Sequence, residues 1–233
     1  VITGAGDKAF CAGADLKERQ HMTPDDVRVQ VGLYRTELGV LDKSPKPVIA
    51  AINGVAFGGG LELALVCDLR VAVPAAEIAL PETTLGIIPG AGGTQRLPRI
   101  VGEARAKEMI LLGRKLTAHD ALAWGLVNRI SPEGVNVLDD VLAWIDPIAN
   151  GAPIAQSAAL RAIDASYEVS LDLGLELERV FYDAPPSRGQ RPSTAWGGAP
   201  TPTLGRDRAR RTNGRHARRR ATSKLTPARE DPP

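Results

Sequence analysis

Residues 53–97 constrain the fold and the chemistry of this chain more than any other stretch. They read NGVAFGGGLELALVCDLRVAVPAAEIALPETTLGIIPGAGGTQRL. The stretch holds two glycine clusters, 58–60 and 90–93, and glycine lets backbone approach a ligand closely with its N–H groups exposed. Two carboxylates, Glu62 and Glu82, stand among apolar residues, where a charge is costly unless it is hydrogen-bonded, paired or neutralised. Glycine clusters combined with such acids are typical of an active site.

Short apolar runs alternate with helix-like segments through residues 1–183, and this alternation predicts an α/β fold. The predicted strands are 1–3, 48–52, 69–73, 78–80 and 126–130. The predicted helices are 24–40, 61–67, 104–112, 118–124, 139–145, 154–167 and 171–182. Thr23 is the expected cap of the first long helix, with Pro24 at its first position and acids in its first turn.

The net charge and the composition of the chain change at residue 184. Residues 184–233 carry a net charge of +9 and residues 1–183 a net charge of −7. The later segment holds eight Pro and five Gly, and Leu204 and Leu225 are its only Leu, Ile, Val or Phe. It cannot bury enough apolar area to offset its ordering entropy, so we predict a disordered basic tail. Two interpretations stay open: an arm that binds RNA or another polyanion, and a non-native sequence appended by a frameshift.

The cysteines, the histidines and the lengths of the apolar runs indicate which compartment and which cofactors to expect. Cys11 and Cys67 lie far apart and match neither a disulfide framework nor a zinc motif, which favours a reducing compartment such as the cytoplasm. No histidine spacing indicates a metal site, and no apolar run of about 18 residues indicates a membrane span. Of the other charged residues, Asp68 is expected to bond neighbouring backbone, and Arg70 and Arg96 are expected to form ion pairs.

The glycine triplet directly precedes a predicted helix, where free N–H groups and the positive end of the helix dipole collect. The Gly13–Ala14 loop offers a second backbone donor. Two N–H groups aimed at one oxygen form an oxyanion hole. On spacing alone, close packing or a tight turn explains the triplet equally well.

Glu62 and Glu82 gain significance as a pair. Alone, Glu62 fits dipole complementarity in a first helical turn, and Glu82 fits a surface turn. Beside one oxyanion hole, a carboxylate and a carboxylic acid can deprotonate water and deliver a proton to carbon, each step worth about 10²–10⁴ in rate. Burial and mutual repulsion would raise the pKa of the proton donor.

Three segments, AFCAGADLKE, INGVAFGGGLELALVCDLRVA and LPETTLGIIPGAGGTQRLPR, resemble the enoyl-CoA hydratase (crotonase) family, and the similarity extends from residue 1 to about residue 183. FCAGADLKER followed by GGGLELAL is most similar to the methylglutaconyl-CoA hydratase-like branch. The resemblance implies a crotonase-like spiral of ββα units with C-terminal helices. It also implies an acyl-CoA substrate, no metal or redox cofactor, and a homotrimer or hexamer. Family members have strands before VITGAG, so we expect this chain to lack its N-terminal strands.

The same resemblance implies a role for each candidate residue. The N–H groups of Ala14 and Gly59 would hold the thioester oxygen, Glu62 would activate water, and Glu82 would deliver the proton to the α-carbon. The expected substrate contacts, including those to the CoA moiety, are Ala12, Asp15, Leu16, Lys17 and Gly90.

The expected function is hydration of a 2-enoyl-CoA. Retention of both acids favours a hydratase. The alternatives are an enoyl-CoA isomerase of the same family and an RNA- or polyanion-binding protein that acts through residues 184–233.

Overall fold

A computed structural model describes residues 1–183 of the protein, and the predicted basic tail lies outside these described residues. The strands are β1 (Ile2–Thr3), β2 (Ala9–Cys11), β3 (Ile49–Ile52), β4 (Val55–Phe57), β5 (Leu69–Ala72), β6 (Glu77–Ala79), β7 (Leu116–Thr117) and β8 (Arg129–Ile130). Consecutive strands from β1 to β6 alternate between two sheets, of order β1-β3-β5-β8 and β2-β4-β6-β7. Every pairing is parallel except that between β6 and β7.

Helices follow each of the first three pairs of strands, and α6 lies between β7 and β8. They are α1 (Leu16–Arg19), α2 (Pro24–Asp42), α3 (Gly59–Leu65), α4 (Gly93–Val101), α5 (Glu103–Leu112), α6 (Ala118–Ala123), α7 (Val137–Trp144), α8 (Asp146–Ala149), α9 (Pro153–Ala165) and α10 (Leu171–Asp183), with a 3₁₀ helix at Glu82–Leu85. Thr23 caps α2 by accepting from the Asp26 N–H at 3.2 Å, as predicted. The predicted α/β class and the spiral of ββα units are confirmed.

Strand β3 lies at the centre of the packing. Its four residues are all buried, and a parallel strand covered on both faces reads as the continuous apolar run seen in the sequence. Because side chains alternate along a strand, Ala50 and Ile52 join the main core while Ile49 and Ala51 face α7. The strand therefore anchors one sheet against helices on both sides.

Two predictions from the sequence are wrong. Residues 126–130 contribute only the short strand β8, because Leu126 is buried in the turn after α6, where its N–H donates to the Ala121 carbonyl at 2.8 Å. An apolar run records burial and does not by itself distinguish a strand from a turn. Arg70 forms no ion pair within residues 1–183. Its buried guanidinium donates instead to the carbonyls of Leu126, Ala64 and Cys67, at 2.8, 3.3 and 2.5 Å.

The other two predictions on charged residues are confirmed. The Asp68 carboxylate accepts from the Val48 N–H at 2.6 Å and fixes the entry to β3. Arg96 pairs with Asp42 at 3.1 Å.

Candidate active site

A cavity of about 690 Å³ opens between the β2–α1 loop, the start of α3, the 3₁₀ helix and one face of α2. It brings together seven of the nine residues that the sequence singled out: Ala12, Ala14, Leu16, Gly59, Glu62, Glu82 and Gly90. Asp15 and Lys17 do not line it. The Asp15 carboxylate caps α1 by accepting from the Lys17 N–H at 2.8 Å, and Lys17 is exposed.

Two residues of the glycine triplet, Gly58 and Gly60, each meet a different close neighbour. A Cβ on Gly60 would lie 1.8 Å from the Cys11 carbonyl oxygen, so α3 can pack on β2 only through a glycine. Gly58 has φ of +55°, and a Cβ there would lie 3.0 Å from Glu82 Oε1. Close packing therefore accounts for Gly58 and Gly60, and the same packing brings α3 to the cavity.

The two predicted oxyanion donors lie in adjacent segments. Gly59 is the first residue of α3, where an N–H group has no acceptor within the helix. Gly13 adopts φ of +90°, and a Cβ on it would lie 3.3 Å from the Gly59 nitrogen. The loop that carries Ala14 thus rests directly against the N-terminus of α3, and both donors line the same cavity.

Glu62 is fully hydrogen-bonded on one oxygen. Its side chain is 3% exposed, and Oε1 accepts from the N–H groups of Ala91 at 2.7 Å and Gly93 at 2.8 Å. These two backbone donors fix the position of the Glu62 carboxyl group at the cavity. The second glycine cluster therefore lets the backbone reach Glu62, since a Cβ on Gly93 would lie 3.1 Å from Oε1.

Glu82 lies in the opposite environment. It is 8% exposed, and its buried Oε2 has no hydrogen-bond partner among the described residues. Burial raises the pKa of Glu82, and the charge of nearby Glu62 raises it further; a hydrogen bond to its own backbone and the charge of Arg19 oppose the shift. The cavity thus holds one glutamate bonded to two backbone N–H groups and a second glutamate whose pKa is raised by burial.

The sequence reasoning missed the side chains that shape the cavity. Helix α2 contributes Val27, Val31, Tyr34 and Arg35, and the segment after Glu82 contributes Leu85, Ile87 and Ile88. Apolar walls of this kind suit an acyl chain. Arg19 also lines the cavity, and its buried Nε has no partner within residues 1–183. Nothing in its local sequence pattern marks Arg19 as part of the site.

Residues 1–183 contain no group of three or more His, Cys, Asp or Glu side chains placed to hold a metal ion. No helix in this part of the chain is both long and apolar enough to cross a bilayer. The expected independence from cofactors and the expected cytoplasmic location stay predictions.

The enoyl-CoA hydratase/isomerase family model matches residues 1–193 of the sequence. The chain therefore belongs to the enoyl-CoA hydratase/isomerase family, and the resemblance inferred from the motifs is confirmed.

Individual relatives agree with this assignment. YngF of Bacillus subtilis, provisionally named an enoyl-CoA hydratase/isomerase, is 51% identical over 185 residues, which cover 78% of this chain and 70% of YngF. The human mitochondrial enoyl-CoA hydratase domain-containing protein 2 is 47% identical over 176 residues, covering 74% of this chain and 60% of that protein. The crystal structure of an enoyl-CoA hydratase from Bacillus anthracis matches with a TM-score of 0.75 at 49% identity, covering 77% of this chain and 69% of that one.

Proposed function

We propose that this protein is an enoyl-CoA hydratase that adds water across the double bond of a 2-enoyl-CoA thioester. The observation that carries the proposal is the pair of glutamates at one apolar cavity in opposite environments. Glu62 accepts two backbone hydrogen bonds, whereas Glu82 keeps a buried oxygen without a partner among the described residues. Water addition needs a base for water and an acid for carbon, and the burial that raises the pKa of Glu82 suits Glu82 to the second task.

The proposed reaction follows from the placement of these groups. The N–H groups of Ala14 and Gly59 would polarise the thioester carbonyl and stabilise the enolate oxygen. The Glu62 carboxylate would take a proton from water as the water oxygen bonds to the β-carbon. The carboxylic acid of Glu82 would then give its proton to the α-carbon. The product gains one water molecule, and proton exchange with solvent returns both glutamates to their starting states.

An isomerase that moves the double bond of a 3-enoyl-CoA is the alternative within the same family. It needs proton transfer between two carbons and no attacking water, so a single acid–base group suffices. The presence of both acids at the cavity supports the hydratase. Product identification separates the two activities, because a hydratase yields a 3-hydroxyacyl-CoA from a 2-enoyl-CoA and an isomerase does not.

The test measures hydration of crotonyl-CoA by the full chain and by Glu62→Gln and Glu82→Gln. Each variant should lose about 10²–10⁴ in kcat, because each removes one proton-transfer group, while CoA binding persists. Glu77→Gln serves as the matched control, since Glu77 lies on β6, half exposed, 3.8 Å from Lys115 and outside the cavity. Near-normal turnover by either active-site variant would refute the proposal.

The proposal includes a homotrimer or hexamer and no metal or redox cofactor. Addition of water to the double bond causes no net oxidation or reduction of the 2-enoyl-CoA, so no electron carrier is required. Helices α9 and α10 contain no buried residue among those described, and α10 exposes Leu171, Leu175 and Val180. Exposed apolar side chains of this number are typical of a surface that another subunit covers.

A further inference from the structure

The loop Gly90–Gly93 holds Glu62, and this loop is itself held by side chains that do not contact Glu62. On its inner side, the Ala91 and Gly93 N–H groups donate to Glu62. On its other side, the Gly90 and Ala91 carbonyls accept from side chains of α2 and α4. The position of the Glu62 carboxylate therefore depends on side chains that do not touch it.

Helix α2 makes the first outer contact. The Arg35 guanidinium donates through Nε to the Gly90 carbonyl oxygen at 2.5 Å. One turn earlier, Val31 lies so close that a Cβ on Gly90 would come within 3.0 Å of its Cγ1. Because α2 has no fully buried residue, these contacts place a weakly packed helix directly on the loop.

Arg96 on α4 makes the second outer contact. Its Nη1 donates to the Ala91 carbonyl at 3.4 Å, and a Cβ on Gly92 would lie only 2.0 Å from the same nitrogen. Its Nε and Nη2 donate to the two carboxylate oxygens of Asp42 on α2, at 3.4 and 3.1 Å. The Arg96 side chain is 26% exposed, so solvent screens this pair only in part.

We propose that Asp42, Arg96 and Arg35 are positioning residues that clamp the Gly90–Gly93 loop and thereby set the position of the Glu62 carboxylate. Ala91 is the link, because its N–H bonds Glu62 while its carbonyl bonds Arg96. Asp42 orients the planar guanidinium of Arg96 so that a third nitrogen is free to reach the loop. The predicted effect of the clamp on turnover rests on the proposed hydratase function.

The clamp predicts a specific kinetic signature. Asp42 and Arg96 do not line the cavity, so their removal should leave KM within about twofold of the wild-type value. Displacement of the loop by about 1 Å would move the base relative to water, and misplacement of this size costs about 10² in rate. We expect Arg96→Gln and Asp42→Asn each to lower kcat by about 10- to 100-fold. Arg96→Lys should recover only part of the loss, because an ammonium cannot bond Asp42 and Ala91 in the same planar fork.

The control is Arg99→Gln. Arg99 is an exposed arginine on the same helix, and it donates to the Gln95 carbonyl at 2.7 Å without contacting the loop. A clamp that acts through the loop leaves this variant at wild-type kcat. If Arg96→Gln or Asp42→Asn keeps kcat within twofold of Arg99→Gln, the clamp is refuted.

Amide hydrogen exchange provides a readout that needs no turnover. Loss of the clamp should speed exchange at the Ala91 and Gly93 amides by about tenfold or more, while the amides of β3 keep their wild-type rates. A fall in kcat without faster exchange at these two amides would overturn the proposal. If the wild-type chain hydrates no enoyl-CoA, the proposed function fails, and the exchange rates still decide whether the clamp exists.

Discussion

Replacement of Gly13 by alanine tests whether the two donor segments must touch. Gly13 has φ of +90°, and an added Cβ would lie 2.9 Å from the Phe57 carbonyl oxygen and 3.3 Å from the Gly59 nitrogen. Real Cβ contacts are longer than the first of these distances, so the loop that carries Ala14 must move away from the N-terminus of α3. The substitution therefore separates the two proposed oxyanion donors without altering either N–H group.

Two effects contribute to the expected magnitude. Left-handed backbone costs an alanine about 1–2 kcal/mol, and the steric overlap adds about 1–3 kcal/mol. Displacement of one oxyanion donor typically lowers kcat by about 10²–10³. The variant should thus lose both stability and turnover, and the loss of turnover should exceed anything that partial unfolding explains.

Gly6→Ala is the matched control. Gly6 has a similar φ of +78°, yet an added Cβ would have no neighbour within 4 Å. It therefore carries the backbone strain alone. Thermal unfolding should place Gly13→Ala roughly 2–12 °C below Gly6→Ala, since 1 kcal/mol shifts the melting temperature of a chain of this size by about 2–4 °C. Crotonyl-CoA hydration at a temperature where both variants are folded should show a large loss only for Gly13→Ala. Equal kcat values for the two variants would refute the oxyanion assignment.

Three further predictions concern buried polar groups. The native state holds the Glu82 proton more tightly than the unfolded chain, because the native pKa is raised above the ordinary glutamate pKa of 4.5. The stabilisation is present at low pH and is lost as the pH rises from 4.5 through the raised native pKa. Thermal melts at varied pH should show wild type losing stability relative to Glu82→Gln over this interval. Burial raises the pKa of Cys67 to about 11, so iodoacetamide at pH 8 should modify half-buried Cys11 first, and equal labelling rates by mass spectrometry would contradict this. Arg70→Leu should cost about 2–6 kcal/mol in chemical denaturation, because it leaves the buried Leu126 and Cys67 carbonyls without the Arg70 donor, whereas the Ala64 carbonyl still accepts from the Cys67 N–H; a cost below about 1 kcal/mol would show that these bonds contribute little.

Local patterns predicted much of the fold because their causes are local. The buried strand β3 follows from a continuous apolar run, and the start of α2 follows from a capping threonine before a proline. Strands β2 and β4 were missed because three residues are too short to show a period. Helix α4 was missed because it begins on a glycine and contains Pro98, which are both signals against a helix.

The sequence predicted which residues line the site, but it did not predict the hydrogen bonds that connect them. Glu62, Glu82 and the glycine clusters stand out in the sequence because they violate its apolar pattern. The bonds from Glu62 to Ala91 and Gly93 span 29 and 31 residues, and no local pattern encodes contacts at that separation. The same holds for Arg35, whose partner Gly90 lies 55 residues away. The roles assigned to the individual site residues stay predictions until turnover is measured.

For the glycine triplet, the packing explanation and the catalytic explanation are compatible and do not compete. Gly60 is required because α3 packs against the backbone of β2, and without that contact the N-terminus of α3 would not reach the cavity. Gly58 is required because its φ is +55° and Glu82 lies against it, whereas an added Cβ on Gly59 would make only an ordinary contact with Gly13 at 3.7 Å. Each close approach both stabilises the fold and places a reacting group. A larger side chain at Gly58 or Gly60 should therefore reduce stability and turnover together, whereas substitution of the clamp residues Asp42 and Arg96, which do not line the cavity, should affect turnover far more than stability.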